Sequence, residues 1–108
     1  MNIVDLIFER NHGPEMAIVS PEGGLSFAGL QARMLECEYA LRCDANWPRG
    51  VARPRIGLRA PSGADYIVVA LAILKAGACF VPIPAELTES EQQELIERTA
   101  LHLSLIHI

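Results

Sequence analysis

Apolar positions along this chain change their period several times, and each change marks an expected element. Ile3, Ile7 and Phe8 recur at helical spacing, which predicts a short amphipathic helix from Ile3 to Asn11. His12-Gly13-Pro14 stops it. Met16 to Val19 is a short apolar run suited to a strand. Pro21-Glu22-Gly23-Gly24 then reads as a turn, because glycine reaches the positive φ that such turns use. With Leu25 beyond it, the piece predicts a small hairpin. Ser26 stands at an N-cap position, its hydroxyl placed to accept from a free backbone N–H. Phe27, Leu30, Met34, Cys37 and Leu41 follow at spacings of three and four, which predicts one buried face over about four turns.

Asp44 to Pro54 carries Asn46, Pro48, Gly50 and Pro54 and reads as a loop. Trp47 inside it is read as a packing anchor rather than a ligand platform. Arg55 to Ala60 predicts a strand, Pro61-Ser62-Gly63 a turn, and Ala64 to Ala76 a helix that is apolar nearly all round. A helix of that kind is buried, with other structure expected on its outer side. Gly77 fits the left-handed position that ends a helix. Ala78 to Ile83 is continuously apolar, which predicts a strand buried on both faces, ended by Pro82 and Pro84. Thr88-Glu89-Ser90-Glu91 has the form of a capping box. It predicts a helix to about Ala100, with Leu95 and Ile96 inward. Leu101 to Ile108 returns to strand character. The expected fold class is therefore α/β. It is a partial doubly wound parallel sheet (β-α-β-α-β), preceded by a short helix, a small strand pair and an amphipathic helix.

Length and charge narrow the picture. At 108 residues the chain is at most one domain, and an apolar fraction of 51% is high for one that covers itself. The net charge of −4 argues against nucleic acid as a partner. Arg42, Arg49, Arg53, Arg55 and Arg59 cluster in sequence, and Glu86, Glu89, Glu91, Glu94 and Glu97 form an acidic block. Both read as solvated faces. Cys37, Cys43 and Cys79 are odd in number, without a CxxC pair, and read as core residues of a cytoplasmic, reducing setting. Asp5, Glu9 and Arg10 interrupt the N-terminal apolar run, so no signal peptide is expected. The uncharged stretch Tyr66 to Leu74 is too short to span a bilayer.

Candidate chemistry is sparse. Pro61-Ser62-Gly63 lies between a strand and a helix, where phosphates often bind, but it has one glycine and no lysine. Ser62, His102 and Asp65 could be assembled into a triad only on paper, since Ser62 lacks a GxSxG elbow. His12, His102 and His107 show no metal-ligand spacing, and Glu91 with Glu94 needs no role beyond an acidic helix. A receiver-type signalling domain would need acidic strand ends, and these are Ala60-Pro61 and Ile83-Pro84.

Four pieces, in order, carry a resemblance. They are Met16-Ala17-Ile18-Val19 before a glycine turn, Leu25-Ser26-Phe27-Ala28-Gly29-Leu30, Arg55-Ile56-Gly57-Leu58, and Ala70-Leu71-Ala72-Ile73-Leu74-Lys75-Ala76-Gly77-Ala78 followed by Val81-Pro82. The chain resembles the N-terminal portion of the AMP-forming acyl-adenylate synthetases, the superfamily of acyl-CoA synthetases and peptide-synthetase adenylation domains. That family writes the last piece as "A-x-LAxLKAGA-xx-VP". The match spans about residues 3 to 106. Ile83-Pro84-Ala85 departs from it, since many members have Asp or Asn before a proline there.

The resemblance implies that residues 1–108 are an incomplete N-terminal part of the family's large N-terminal domain. In that family a carboxylic acid is activated with ATP and Mg²⁺, then passed to coenzyme A or a carrier-protein phosphopantetheine. The phosphate loop, the Mg²⁺ ligands and the catalytic lysine lie downstream of the matched region. The resemblance therefore carries no catalytic, cofactor-binding or metal residue onto this chain, and this part alone is expected to bind no cofactor and be inactive. The implied partners are the C-terminal remainder of the same enzyme and, for the parent, its carboxylic acid substrate. The alternative is a complete, non-catalytic α/β interaction or regulatory module. A third reading is a small nucleotide-binding protein using Pro61-Ser62-Gly63 and the nearby arginines. The last six residues, Leu103 to Ile108, read either as a genuine strand or as translated adapter sequence.

Overall fold

The computed structural model describes residues 2–20, 23–61 and 63–106. Helix α1 (Ile3–Arg10) precedes a hairpin of β1 (Met16–Ser20) and β2 (Gly23–Ser26), then α2 (Phe27–Cys43). The strand–helix alternation follows: β3 (Arg55–Arg59), α3 (Ala64–Lys75), β4 (Cys79–Pro82), α4 (Glu89–Thr99) and β5 (Leu103–Ile106). β1 and β2 pair antiparallel, with a register shift between Met16 and Ile18. β3 pairs parallel with both β4 and β5, giving the order β4-β3-β5. The expected β-α-β-α-β unit is present.

The strand order decides where the helices lie. The chain crosses from β3 to β4 through α3, then back over β3 to β5 through α4. Right-handed crossovers in opposite directions put the two helices on opposite faces. Side-chain contacts agree. Ile56 and Leu58 pack with Ile73 of α3. Between them, a Cβ at Gly57 would point the other way, 2.5 Å from Leu101 Cδ1 and 2.8 Å from Ile83 Cδ1.

α3 is apolar all round because it serves two clusters. Val68 and Ala72 join Val4, Phe8, Leu30 and Met34 of α1 and α2. Ile73 joins Trp47, Ile56, Leu58 and Ala78 on the sheet side. The outer cover expected for α3 is thus supplied by α1 and α2 of this chain. Full burial of Ile56, Leu58 and Ile73 stabilises the fold by roughly 1.5–3 kcal/mol each. Trp47 is buried as an anchor, which ties the Asp44–Pro54 loop to the sheet cluster. Tyr66 and Phe80 stack edge to face with centroids 6.0 Å apart.

Several local expectations need correction. Asn2 caps α1, its Oδ1 accepting from Val4 N at 3.0 Å and Asp5 N at 3.2 Å. That phase buries Val4 and Phe8 and leaves Ile3 62% exposed, so Ile3 is not on the inward side. Gly23 and Gly24 belong to β2 and not to the turn, while Pro21 and Glu22 lie outside the described residues. β4 ends its sheet, so Cys79 and Pro82 are exposed and the strand is not covered on both faces. Cys43 and Cys79 are exposed rather than core, and Cys37 is half-buried. Leu95 and Ile96 are half-buried, and α4 buries no residue.

Candidate functional site

In open α/β sheets ligands bind beyond the carboxyl ends of the strands. Here that rim comprises Arg59 at the end of β3 with Ala60-Pro61 after it, Gly63 at the start of α3, and Ile83-Pro84-Ala85 after β4. Gly63 caps α3 without a side-chain hydrogen bond. The first turn holds Asp65, which is paired with Arg33 of α2. An acidic side chain at this helix start opposes a phosphate there, since it already occupies the positive end of the dipole. Ser62, central to the turn proposed from sequence, lies outside the described residues.

Arg59 is the one arginine of the cluster on the rim. Its Nη2 donates to the carbonyl of Ala85 at 3.2 Å, so it ties the exit of β3 to the exit of β4. Its Nε is buried without a hydrogen-bond partner. Arg42, Arg49 and Arg55 go to structural acceptors. Arg42 pairs with Glu38 at 3.0 Å. Arg49 donates to the carbonyls of Arg42 and Asp44, at 3.1 and 3.2 Å. Arg55 donates to Ala100 O at 3.1 Å. Arg53 is exposed in the loop. The cluster in sequence is dispersed in space, holding loop and helix ends.

The triad drawn from Ser62, His102 and Asp65 is not assembled. His102 sits at the amino end of β5, its Nδ1 accepting from the backbone N–H of Arg55 at 2.9 Å. Asp65 opens α3, beyond the carboxyl end of β3. The length of β3 separates them, on the order of 15 Å at a strand rise of ~3.3 Å per residue. His12 is exposed in the turn after α1, and His107 lies outside the described residues. No group of three or more metal-ligating side chains occurs among the described residues. No described helix is long and apolar enough to cross a membrane.

The acidic helix α4 is occupied with its own ends. Thr88 Oγ1 accepts from Glu91 N at 3.2 Å and Glu91 Oε1 accepts from Thr88 N at 3.0 Å, the expected capping box. The Thr88 backbone N–H, with its hydroxyl second, holds the Glu91 carboxyl below the usual carboxylate range. Glu94 pairs with Arg98 at 2.6 Å. An open groove of about 460 Å³ runs between α4 and the end of β4, walled by Pro82, Pro84, Leu87 and Leu95. A second, of about 430 Å³, lies between α2 and α3 beside Cys37 and Arg33. Burial raises the Cys37 thiol pKa, with Arg33 opposing, so the sulfur is a poor nucleophile at neutral pH.

Sequence reasoning missed a clasp at the other end of α3. The side-chain amide of Asn2 donates to the carbonyls of Leu74 and Lys75, at 3.2 and 3.4 Å, while its oxygen caps α1. Lys75, the only lysine, pairs with Asp5. That hydrogen bond, then the Asn2 backbone N–H, lowers the Asp5 pKa. The signal was present in sequence: a lone lysine inside the motif and an Asn-x-x-Asp start to the chain.

The described residues form a parallel β4-β3-β5 sheet with α3 packed on one face. The same fold forms part of AMP-forming acyl-CoA synthetases and adenylation domains. Coronafacic acid ligase from Pectobacterium brasiliense, in a mutant form, superposes with a TM-score of 0.84 at 25% identity, over 98% of this chain and 21% of that one. Apo MatB from Rhodopseudomonas palustris gives 0.81 at 22% identity over 98% and 21%. The anthranilate CoA ligase AuaEII, solved with anthranoyl-AMP, gives 0.81 at 22% identity over 99% and 20%. This chain spans about a fifth of the length of each of these proteins. No family model matches the sequence, and no curated relative does.

Proposed function

We propose that this chain is the N-terminal part of the large N-terminal domain of an ATP-dependent, AMP-forming carboxylic acid ligase, and that it serves as scaffold. The observation that carries this reading is the superposition of 98% of the chain on a fifth of coronafacic acid ligase. The order of the four resembling segments supports it independently. In the parent, the substrate carboxylate attacks the α-phosphate of ATP, forming an acyl-adenylate and releasing pyrophosphate. The thiol of coenzyme A or of a carrier-protein pantetheine then attacks the acyl carbon, and AMP leaves. Mg²⁺ and the groups that bind it belong to the remainder of the protein. The residues here build the β4-β3-β5 sheet and the α1–α3 clasp on which that remainder rests. A cytoplasmic, reducing setting goes with this reading, supported by three free cysteines.

The alternative, a complete non-catalytic α/β module, is favoured by one observation: α1 and α2 cover α3 within the chain. The assay that separates the two is carboxylate-dependent ATP–pyrophosphate exchange. The scaffold reading expects none from the 108-residue chain and exchange once the chain is joined to its downstream remainder. Exchange by the chain alone, or none by the joined protein with any of a panel of carboxylic acids, contradicts it.

A further inference from the structure

The two edges of the parallel sheet are not equivalent. On the β4 side, Cys79 N donates to Pro54 O at 2.8 Å and Ile83 N donates to Leu58 O at 2.9 Å. Alternation along a strand therefore turns Phe80 and position 82 toward the outer edge. Position 82 is proline and has no N–H, so this edge is stripped of a donor where a further strand would need one. On the β5 side, His102 N donates to Arg55 O at 2.9 Å. The same alternation turns the N–H and C=O of Leu103 and Leu105 outward, and neither residue is proline. No described strand pairs with that edge.

The molecule also carries surplus surface. Its accessible area is 6877 Å². A compact monomer of 11.8 kDa exposes roughly 5900 Å². The difference, on the order of 1000 Å², is close to the ~800 Å² that one partner contributes to a standard interface. The Cα radius of gyration of 14.5 Å likewise exceeds the roughly 13 Å expected for this length. α4, which buries no residue, leads directly into β5 and leaves surface beside that edge to be covered.

We propose that β5 is the edge at which this sheet grows, and that in the isolated chain the β5 of a second copy occupies it, antiparallel about a two-fold axis near Ser104. In that register Leu103 of each copy lies opposite Leu105 of the other, and each pair exchanges N–H and C=O. With the β4 edge stripped of a donor at Pro82, the contact between β5 edges is self-complementary and closed, so the product is a dimer and not a filament. The β1–β2 hairpin does not compete: its register shift twists a short pair away from flat addition. This proposal stands apart from the ligase reading, which concerns the longer protein.

Sedimentation of the 108-residue chain over a concentration series tests it. The expected mass is twice 11.8 kDa at the upper end. Leu105→Pro removes an outward N–H while sparing the inward N–H groups of Ser104 and Ile106, and is expected to give a monomer with unchanged far-UV circular dichroism. Phe80→Pro, on the other edge, is expected to remain dimeric. Amide exchange of the unsubstituted chain gives a second readout that survives misfolding of either variant. Protection of Leu103 and Leu105 should rise with concentration, while that of Phe80 should not. A wild-type monomer, a folded and dimeric Leu105→Pro, open-ended polymers, or concentration-independent exchange at Leu103 and Leu105 would each overturn the proposal. In a longer polypeptide, a monomer with Leu105 protected would mean that a strand of the same chain takes the edge, which supports growth at β5 and overturns the second copy as its occupant there.

Discussion

Replacing Gly77 by alanine isolates a single backbone angle. Gly77 has φ +83°, and a Cβ there would meet no heavy atom within 4 Å. The substitution therefore tests conformation without a steric clash. Gly77 N donates to Leu74 O at 3.0 Å and Ala78 N donates to Ile73 O at 3.2 Å, the paired bonds that close a helix with a left-handed residue. Ala78 then packs beside Ile73 in the sheet cluster and starts the chain into β4. Holding an alanine left-handed costs roughly 1–2 kcal/mol, and its stiffer unfolded chain returns about 0.4–1 kcal/mol. The net loss is about 1 kcal/mol, which lowers the melting temperature by about 4 °C for a chain of this length. Asparagine tolerates the left-handed region better, so Gly77→Asn should lose about half as much. Thermal melts of the three proteins, followed by circular dichroism, give the comparison. An unchanged melt for Gly77→Ala refutes the left-handed requirement. Equal losses for alanine and asparagine would point to crowding that the structure does not contain.

Other positions test different physics. Gly57→Ala forces the ends of Leu101 and Ile83 aside; it should cost about 1–3 kcal/mol in urea unfolding, although Gly57 is not left-handed. Thr88→Ala removes the hydroxyl that caps α4, and should cost about 1 kcal/mol and speed amide exchange in the first turn of that helix. The carboxyls of Asp5 and Glu91 are both held below their ordinary range. Folded protein therefore binds fewer protons than unfolded chain near pH 4, and stability rises with pH. The contribution is complete above about pH 5 and is lost as pH falls through about 4 and below. Urea midpoints measured across that range should fall with acid, and Asp5→Asn should flatten the slope; a midpoint that rises toward acid contradicts the assignment.

Helix ends were the most legible feature of the chain. Ser26, Gly77 and Thr88 act where residue chemistry places them, because caps depend on neighbours within a turn. In α1 Phe8 and Ile7 face the core as the pattern predicts, and Ile3 departs from it because Asn2, outside the apolar pattern, sets the first turn and also reaches Leu74 and Lys75. The exposure of β4 was not legible. Its apolar run is that of a buried strand, and only the order β4-β3-β5 makes it an edge. The same limit applies to α3. Its composition demanded cover on two sides, but that α1 and α2 provide it is a matter of contacts some 40 to 70 residues apart in sequence. At the candidate site, the arginines looked like one cluster because they are close in sequence. Arg42, Arg49, Arg55 and Arg59 instead reach different carbonyls or carboxylates, since loop and helix ends are where guanidinium groups satisfy bare acceptors.

The central claim is that this chain is the scaffold start of an adenylate-forming ligase. Sequencing the source DNA past the codon for Ile108 tests it most directly. The account predicts an open frame that soon encodes a Ser/Thr/Gly-rich loop with a lysine, the phosphate-binding element absent from residues 1–108. A stop codon directly after Ile108, or a frame that continues without such a loop, would contradict it and leave the non-catalytic module as the better account.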